Sequence, residues 1–283
     1  MASLHTNFIN FEKSISITYT KKLKLNASRN ALQKRILEYF KTKPKLPSPK
    51  FSTQGSYRMG TMVLGKDGEY DIDLGVYFLA KPLLTAATLK SNVFDAVDGH
   101  TEYGVENRDK CIRVIYSGDF DIDLPVYYKS STDTHPFLAT KQGWMKSDPK
   151  ELCDWFEKKK DPNGQLKRLV KYFKYWANMK NRKMPSGIAL TVWVSNNYKP
   201  SAYDDVAFYE TAKAIKNSFG WSISCPNPAT PNDNLIEKLD ANQKANFKKF
   251  LTELIQDAKE AIEEKDSSKA IKIWKGQLSD RFK

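Results

Sequence analysis

Asp71 and Asp73 stand two apart in a segment, Tyr70 to Leu79, whose residues alternate: Ile72, Leu74, Val76 and Phe78 against Asp71, Asp73, Gly75 and Tyr77. A period of two is that of a β-strand, and residues at i and i+2 project from one face. The two carboxylates are therefore side by side, where each raises the pKa of the other unless a cation lies between them. Magnesium or manganese supplies that cation, and two such ions about 3.5–4 Å apart can hold the attacking and leaving oxygens of a phosphoryl displacement. The chemistry needs one further carboxylate from a neighbouring strand, which could also take the proton of the attacking hydroxyl. A second alternating run, Phe120 to Tyr128, offers Asp121 and Asp123 on one face, with Asp119 in the turn before it. The same-face argument does not separate Asp121 from Asp123. Upstream, Gly55-Ser56 supplies a backbone that can approach an anion closely and one hydroxyl donor. Each feature alone also reads blandly, as an edge-strand acid or an ordinary turn; the combination points to metal-bound phosphates.

These residues need elements to hold them. Lys24 to Lys43 places Leu25, Leu32, Ile36, Leu37 and Phe40 on one helical face, with Asn26 or Ser28 as the cap and Pro44, Pro47 and Pro49 as the stop. Phe51 to Ser56 is a short extended segment, Ala86 to Val97 a helix, and Cys111 to Tyr116 a strand. Beyond Lys146 the pattern is helical almost throughout. Asp148-Pro149 and Asp161-Pro162 open helices in the cap-then-proline order. Pro185-Ser186 opens an apolar helix to about Tyr198, and Asp204–Phe219, Asn234–Lys265 and Ser268–Phe282 follow. In the helix after Asp161, Leu166, Leu169, Val170, Phe173, Tyr175 and Trp176 are expected to bury, with Lys167, Arg168, Lys171 and Lys174 on other faces. The fold class is α+β: a mixed sheet with helices in residues 1–145, and an α-helical lobe in 146–283 with the active-site cleft between them.

Composition bounds the chemistry. Of 283 residues, 40% are hydrophobic and 28% charged, an ordinary globular balance. The formal net charge is +13, which favours polyanionic partners such as nucleotides. No run approaches the roughly 20 apolar residues of a membrane span, and no apolar leader is seen, so a cytoplasmic address and no membrane partner are expected. Cys111, Cys153 and Cys225 form no C-x-x-C pair, and His5, His100 and His135 are far apart. A His-rich or thiolate metal site is therefore not expected, and oxygen ligands are.

Three runs carry a resemblance: Thr53-Gln54-Gly55-Ser56-Tyr57-Arg58-Met59-Gly60-Thr61, then Glu69-Tyr70-Asp71-Ile72-Asp73-Leu74, then Asp121-Ile122-Asp123-Leu124-Pro125. Together they resemble the DNA-polymerase-β-like nucleotidyltransferases, and within them the bacterial cGAS/DncV-like branch (CD-NTases), over residues 20–200. The resemblance implies a polymerase-β-like core and a metal-dependent synthase, with two Mg2+ or Mn2+ ions, that joins nucleoside triphosphates into a cyclic di- or trinucleotide. Its product would be a second messenger in anti-phage (CBASS) defence. ATP is the expected substrate, with GTP, CTP or UTP as further candidates. Accessory proteins and an effector reached through the product would be partners, and nucleic acid would be allowed but not required. It assigns catalysis and metal binding to Asp71, Asp73 and Asp123, with Asp121 as the alternate third acid. It assigns the triphosphate to Gln54, Gly55 and Ser56, and to Lys171 and Ser186 on the helical side. Two other functions fit the same residues: transfer to an RNA end, an antibiotic or a protein, and non-catalytic nucleic-acid binding. Three clustered carboxylates would repel a polyanion without metal, which argues against the last.

Overall fold

The computed structural model describes residues 4–44, 46–118, 120–159, 161–230 and 232–283. The chain divides into two compact units. One consists of Ile17–Met59 and Gly68–Trp155; the other consists of the chain up to Ser16, Gly60–Asp67 and Phe156–Lys283. The expected boundary near residue 145 therefore moves. The division falls inside a helix at Trp155–Phe156, and two earlier segments belong with the helical unit. Long-range packing causes this: α1 (His5–Ile15) buries Phe8, Phe11 and Ile15, and it packs on α6 (Gln165–Asn178) and α8 (Asp204–Asn217).

The first unit is built on one mixed sheet. Helix α2 (Tyr19–Lys41) starts earlier than its apolar stripe suggests, because Thr18, not Asn26 or Ser28, caps it by accepting the Lys21 amide. Leu25, Leu32, Ile36 and Phe40 are its buried residues. Strand β1 (Lys50–Gln54) runs into the short helix α3 (Gly55–Met59). Strand β2 (Tyr70–Phe78) has β1 antiparallel on one side. On its other side lie β5 (Phe120–Leu124) and β6 (Val126–Tyr128), both parallel to it. The expected single strand Phe120–Tyr128 is thus two segments in one register, broken where Pro125 has no N–H to donate. The Pro125 carbonyl still accepts the Val76 amide at 2.9 Å. The sheet runs β3 (Val105–Asn107), β4 (Ile112–Ile115), β5, β2, β6, β7 (Phe137–Thr140) and β8 (Gly143–Lys146), with β1 off this path on β2. Helix α4 (Ala86–Val97) packs on α2 and on β3, β4, β6, β7 and β8.

Burial fixes which face the acids take. Ile72, Leu74, Ile122 and Leu124 are each at most 1% exposed. Each such side chain stabilises the fold by about 1.5–3 kcal/mol. A one-residue slip of either strand would exchange these residues for aspartates in the core, so the register is strongly specified.

The second unit holds α6, α7 (Gly187–Asn197), α8, α9 (Ala241–Glu263) and α10 (Ser267–Leu278). Helix α9 starts later than expected, at an Asp240/Gln243 capping box. Helix α6 begins at Gln165, yet the Asp161 carboxylate still caps it, accepting from the Leu166 and Lys167 amides. Helix α5 (Pro149–Glu157) begins where its Asp-Pro pair indicates, with Asp148 accepting the Glu151 amide at 2.9 Å. Among the described residues no helix is long and apolar enough to cross a membrane.

Candidate active site

The parallel pairing of β2 with β5 sets Asp71 opposite Asp121 and Asp73 opposite Asp123. Four carboxylates therefore share one face of two adjacent strands. Asp119 lies outside the described residues. Strand β4 adds a residue that the motif does not contain. Arg113 is the register partner of Asp123, and its guanidinium donates to both Asp123 oxygens at 2.7 Å. It also donates to Asp121 at 2.9 Å and to Asp71 at 3.3 Å. The fork geometry of arginine suits this bidentate grip, which a lysine could not reproduce. A signal for Arg113 existed: in Ile112-Arg113-Val114 the strand alternation puts it on the polar face.

The electrostatics follow from the crowding. The Asp71 carboxyl lies above the ordinary carboxylate range, although its side chain still reaches water. The largest cause is lost hydration, followed by the charge of Asp123, and Arg113 opposes the shift. Arg113 is pushed further up by its bonds to Asp123. Burial, with Asp123 next to it, drives the Cys111 thiol up to about 12, so Cys111 is an inert neighbour of the acids rather than a nucleophile.

Gly55 brings the phosphate-binding candidate to the acids. Its φ is +64°, a region that favours glycine, and a Cβ built on it would lie 2.2 Å from Asp73 Oδ2. The Asp73 carboxylate thus occupies the space that glycine leaves open. Behind the turn, Arg58 of α3 bonds Asp154 at 2.5 Å. Gln54 is different: its side chain is 5% exposed, donates to the Tyr127 hydroxyl at 3.1 Å and accepts from Tyr77 at 3.0 Å. Its amide thus braces the stacked Tyr77 and Tyr127 rings, whose centroids are 4.7 Å apart.

In the helical unit Lys171 forms an ion pair with Glu12 and donates to Ser16 at 3.0 Å. Ser186 caps α7, accepting the Ala189 amide. Lys174, expected on an outer face, is instead buried, and its ammonium donates to the Thr61 hydroxyl and carbonyl. A Cβ on Gly187 would lie 3.3 Å from the Lys174 Cε, so a larger residue directly after Ser186 would press on that side chain. Trp176 is fully buried with its indole N–H on Gln277, so it is a core residue.

The donor set fits a divalent metal. Its ligands are carboxylate oxygens on adjacent strands, the hard donors that Mg2+ or Mn2+ take, and Arg113 already shows that the face holds a cation. Arg113→Gln is expected to lower the metal-free stability by about 1.5–3 kcal/mol, the range for hydrogen bonds to charged groups. Added Mn2+ should restore most of the melting temperature. Unchanged melting of the metal-free variant would show that Arg113 does not neutralise the cluster.

Sheet, paired acids and Gly-Ser turn together form a polymerase-β-like core in fold. Residues 49–127 match the family model described as cyclic GMP-AMP synthase DncV-like, nucleotidyltransferase domain. Over that stretch the chain is similar to the nucleotidyltransferase domain of the bacterial cGAS/DncV-like family. A cyclic GMP-AMP synthase of Escherichia albertii is 34% identical over 205 residues, 66% of this chain and 45% of that protein. A cyclic AMP-AMP-AMP synthase of an Acinetobacter species is 29% identical over 150 residues, 49% of this chain and 43% of that protein. The aligned region thus spans less than half the length of these curated relatives. In fold, the chain is similar to Vibrio cholerae DncV, a cyclic AMP-GMP synthase (TM-score 0.85, 18% identity, 99% of this chain and 97% of that one). It is also similar to the CD-NTase CdnG of Bradyrhizobium diazoefficiens, solved with GTP (TM-score 0.83, 14% identity, 99% and 96%).

Proposed function

We propose that this chain is a cytoplasmic, metal-dependent nucleotidyltransferase that joins nucleoside triphosphates into a cyclic di- or trinucleotide and releases pyrophosphate. The observation that carries the reading is the register of β2 and β5, with Gly55 set against the second acid. The curated relatives are named as cyclic GMP-AMP and cyclic AMP-AMP-AMP synthases. DncV has been solved with ATP and GTP. ATP and GTP are accordingly the first substrates to test, and anti-phage signalling is the role that the resemblance implies and that we include in the proposal.

Asp71, Asp73 and Asp123 are assigned as the metal ligands and Asp121 as the alternate. When bound, two Mg2+ or Mn2+ ions supply charge neutralisation around the α-phosphate and its entering and leaving oxygens. Gly55 and Ser56 bind the triphosphate through backbone N–H groups and the serine hydroxyl. A contact from Gln54 would fall to its backbone, since its amide is engaged elsewhere. A ribose hydroxyl of one nucleotide forms the new bond to the α-phosphorus of the next, and the bond to pyrophosphate breaks. Asp123 is assigned to take the hydroxyl proton, a role supported by its register beside Asp73. Arg113 must then yield part of its grip on Asp123, keeping Asp121 as its partner. Lys171 and Ser186 are kept as the helical unit's own candidates for binding a phosphate, Lys171 by exchanging Glu12 for a phosphate oxygen. Catalysis on this reading is mostly positioning and charge neutralisation.

Mass spectrometry of the products from the four nucleotides with Mg2+ or Mn2+ tests it. The expected result is a phosphatase-resistant cyclic product made without any added acceptor. Only linear products, or incorporation that needs an added RNA, antibiotic or protein, would replace cyclisation with transfer to another acceptor.

A further inference from the structure

The structure assigns a second, structural metal site to His135, Asp148 and Glu151: a zinc-class divalent ion held by one imidazole and two carboxylates. His135 lies between β6 and β7. Asp148 is the cap of α5, and Glu151 is in that helix's first turn. The three donor atoms lie within 4.8 Å of one another. The site is separate from the acids of β2 and β5 and does not depend on the proposed reaction.

Distances favour a metal site over a close ion pair. His135 Nδ1 is 3.4 Å from Asp148 Oδ2 and 3.3 Å from Glu151 Oε2. A charge-assisted bond from an imidazolium would close to about 2.7–2.9 Å. Moreover, one ring nitrogen carries at most one proton, and here it faces two carboxylate oxygens at nearly equal range. An ion with bonds of about 2.0–2.2 Å to nitrogen and oxygen sets tetrahedral edges of about 3.3–3.5 Å, which both distances match. The donor set of one nitrogen and two oxygens is one that zinc accepts.

The ligands are also pre-placed. The Ser147 amide donates to the Pro136 carbonyl at 3.1 Å, holding the two ligand-bearing segments together. Asp148 spends one oxygen on the Glu151 amide and turns the other to His135, so the cap orients the ligand. His135 and Asp148 side chains are 19% and 11% exposed, whereas Glu151 is 51% exposed. The open side leaves a fourth position for water. The scattered histidines argue against a His-rich site, but one imidazole is all this cluster requires. The ion would clasp the β6–β7 loop to α5, whose Asp154 braces Arg58 behind the Gly55 turn.

The test uses the full chain carrying Asp71→Asn and Asp73→Asn, which weakens the acidic face as a competing site. After chelator treatment, zinc is titrated against a chromophoric competitor, and cobalt(II) is added in parallel. One equivalent of zinc, a raised melting temperature and the intense visible absorption of tetrahedral cobalt are expected. His135→Ala should lower zinc affinity by at least about 10-fold and remove the cobalt band. Glu151→Gln, at an exposed side chain, should weaken binding and keeps the test decisive if His135→Ala does not fold. Zinc binding that survives both changes, or no binding in the parent, overturns the assignment.

Discussion

Asparagine at both Asp71 and Asp73 is expected to abolish pyrophosphate release, a loss of at least about 10^3-fold, while the folded protein keeps or gains stability without metal. The catalytic half of this expectation rests on oxygen donors: an amide retains the shape of the carboxylate but not the charge that holds a divalent ion. The stability half follows from the raised Asp71 carboxyl. A group whose folded pKa is raised binds more protons folded than unfolded, so stability is lost as pH rises above the ordinary carboxylate value of 3.8. At neutral pH the Asp71 carboxyl is therefore a net cost to the metal-free fold, and a neutral isostere removes it. Pyrophosphate release and melting curves with and without Mn2+ are the measurements. The metal-dependent shift in melting should vanish together with activity. Full turnover by the double variant would end the nucleotidyltransferase reading, and a collapsed melting temperature would assign the lost activity to the fold instead.

The second large effect is expected at Gly55. A Gly55→Ala protein must hold alanine at φ +64°, a strain of roughly 1–3 kcal/mol, and must also move the Asp73 carboxylate from a 2.2 Å contact. Displacing a metal-ligand candidate on that scale costs about 10^2-fold in rate through lost positioning alone. Gly99→Ala is the matched control. Its φ is +67°, and a Cβ there would meet nothing within 4 Å. Both variants should lose stability, but only Gly55→Ala should lose activity beyond that loss. Equal specific activities in the two proteins would show that Asp73 tolerates displacement or does not serve the reaction.

Local pattern was legible in the sequence to a useful depth. The alternation around Asp71 and Asp73 set strand β2 almost to the residue, and α4 matched its expected span. Capping pairs located α5 and α7, since a side-chain oxygen beside a helix start acts within three residues. Other local features misled where the signal was weak. Helix α2 begins before its apolar stripe does, and the short β7–β8 hairpin carries too few residues for a period to show. The charged, amphipathic α1 is explained only by its buried phenylalanines against α6 and α8.

Residue types and spacing therefore supply the kit: two pairs of acids on alternating strands, a Gly-Ser turn, and a resemblance that ranks Asp123 above Asp121. Tertiary structure decided which of these meet. Strand pairing is non-local, so no periodicity states that β5 runs parallel to β2 with Asp123 opposite Asp73. It also set Arg113 among the acids and Gly55 against Asp73, and it placed Gln54 among tyrosines. The division of the chain was decided the same way, because contacts made by Phe8 and Phe11 outweigh their position in sequence. Side-chain direction follows from local geometry, but proximity follows from packing, and a metal-binding face requires both.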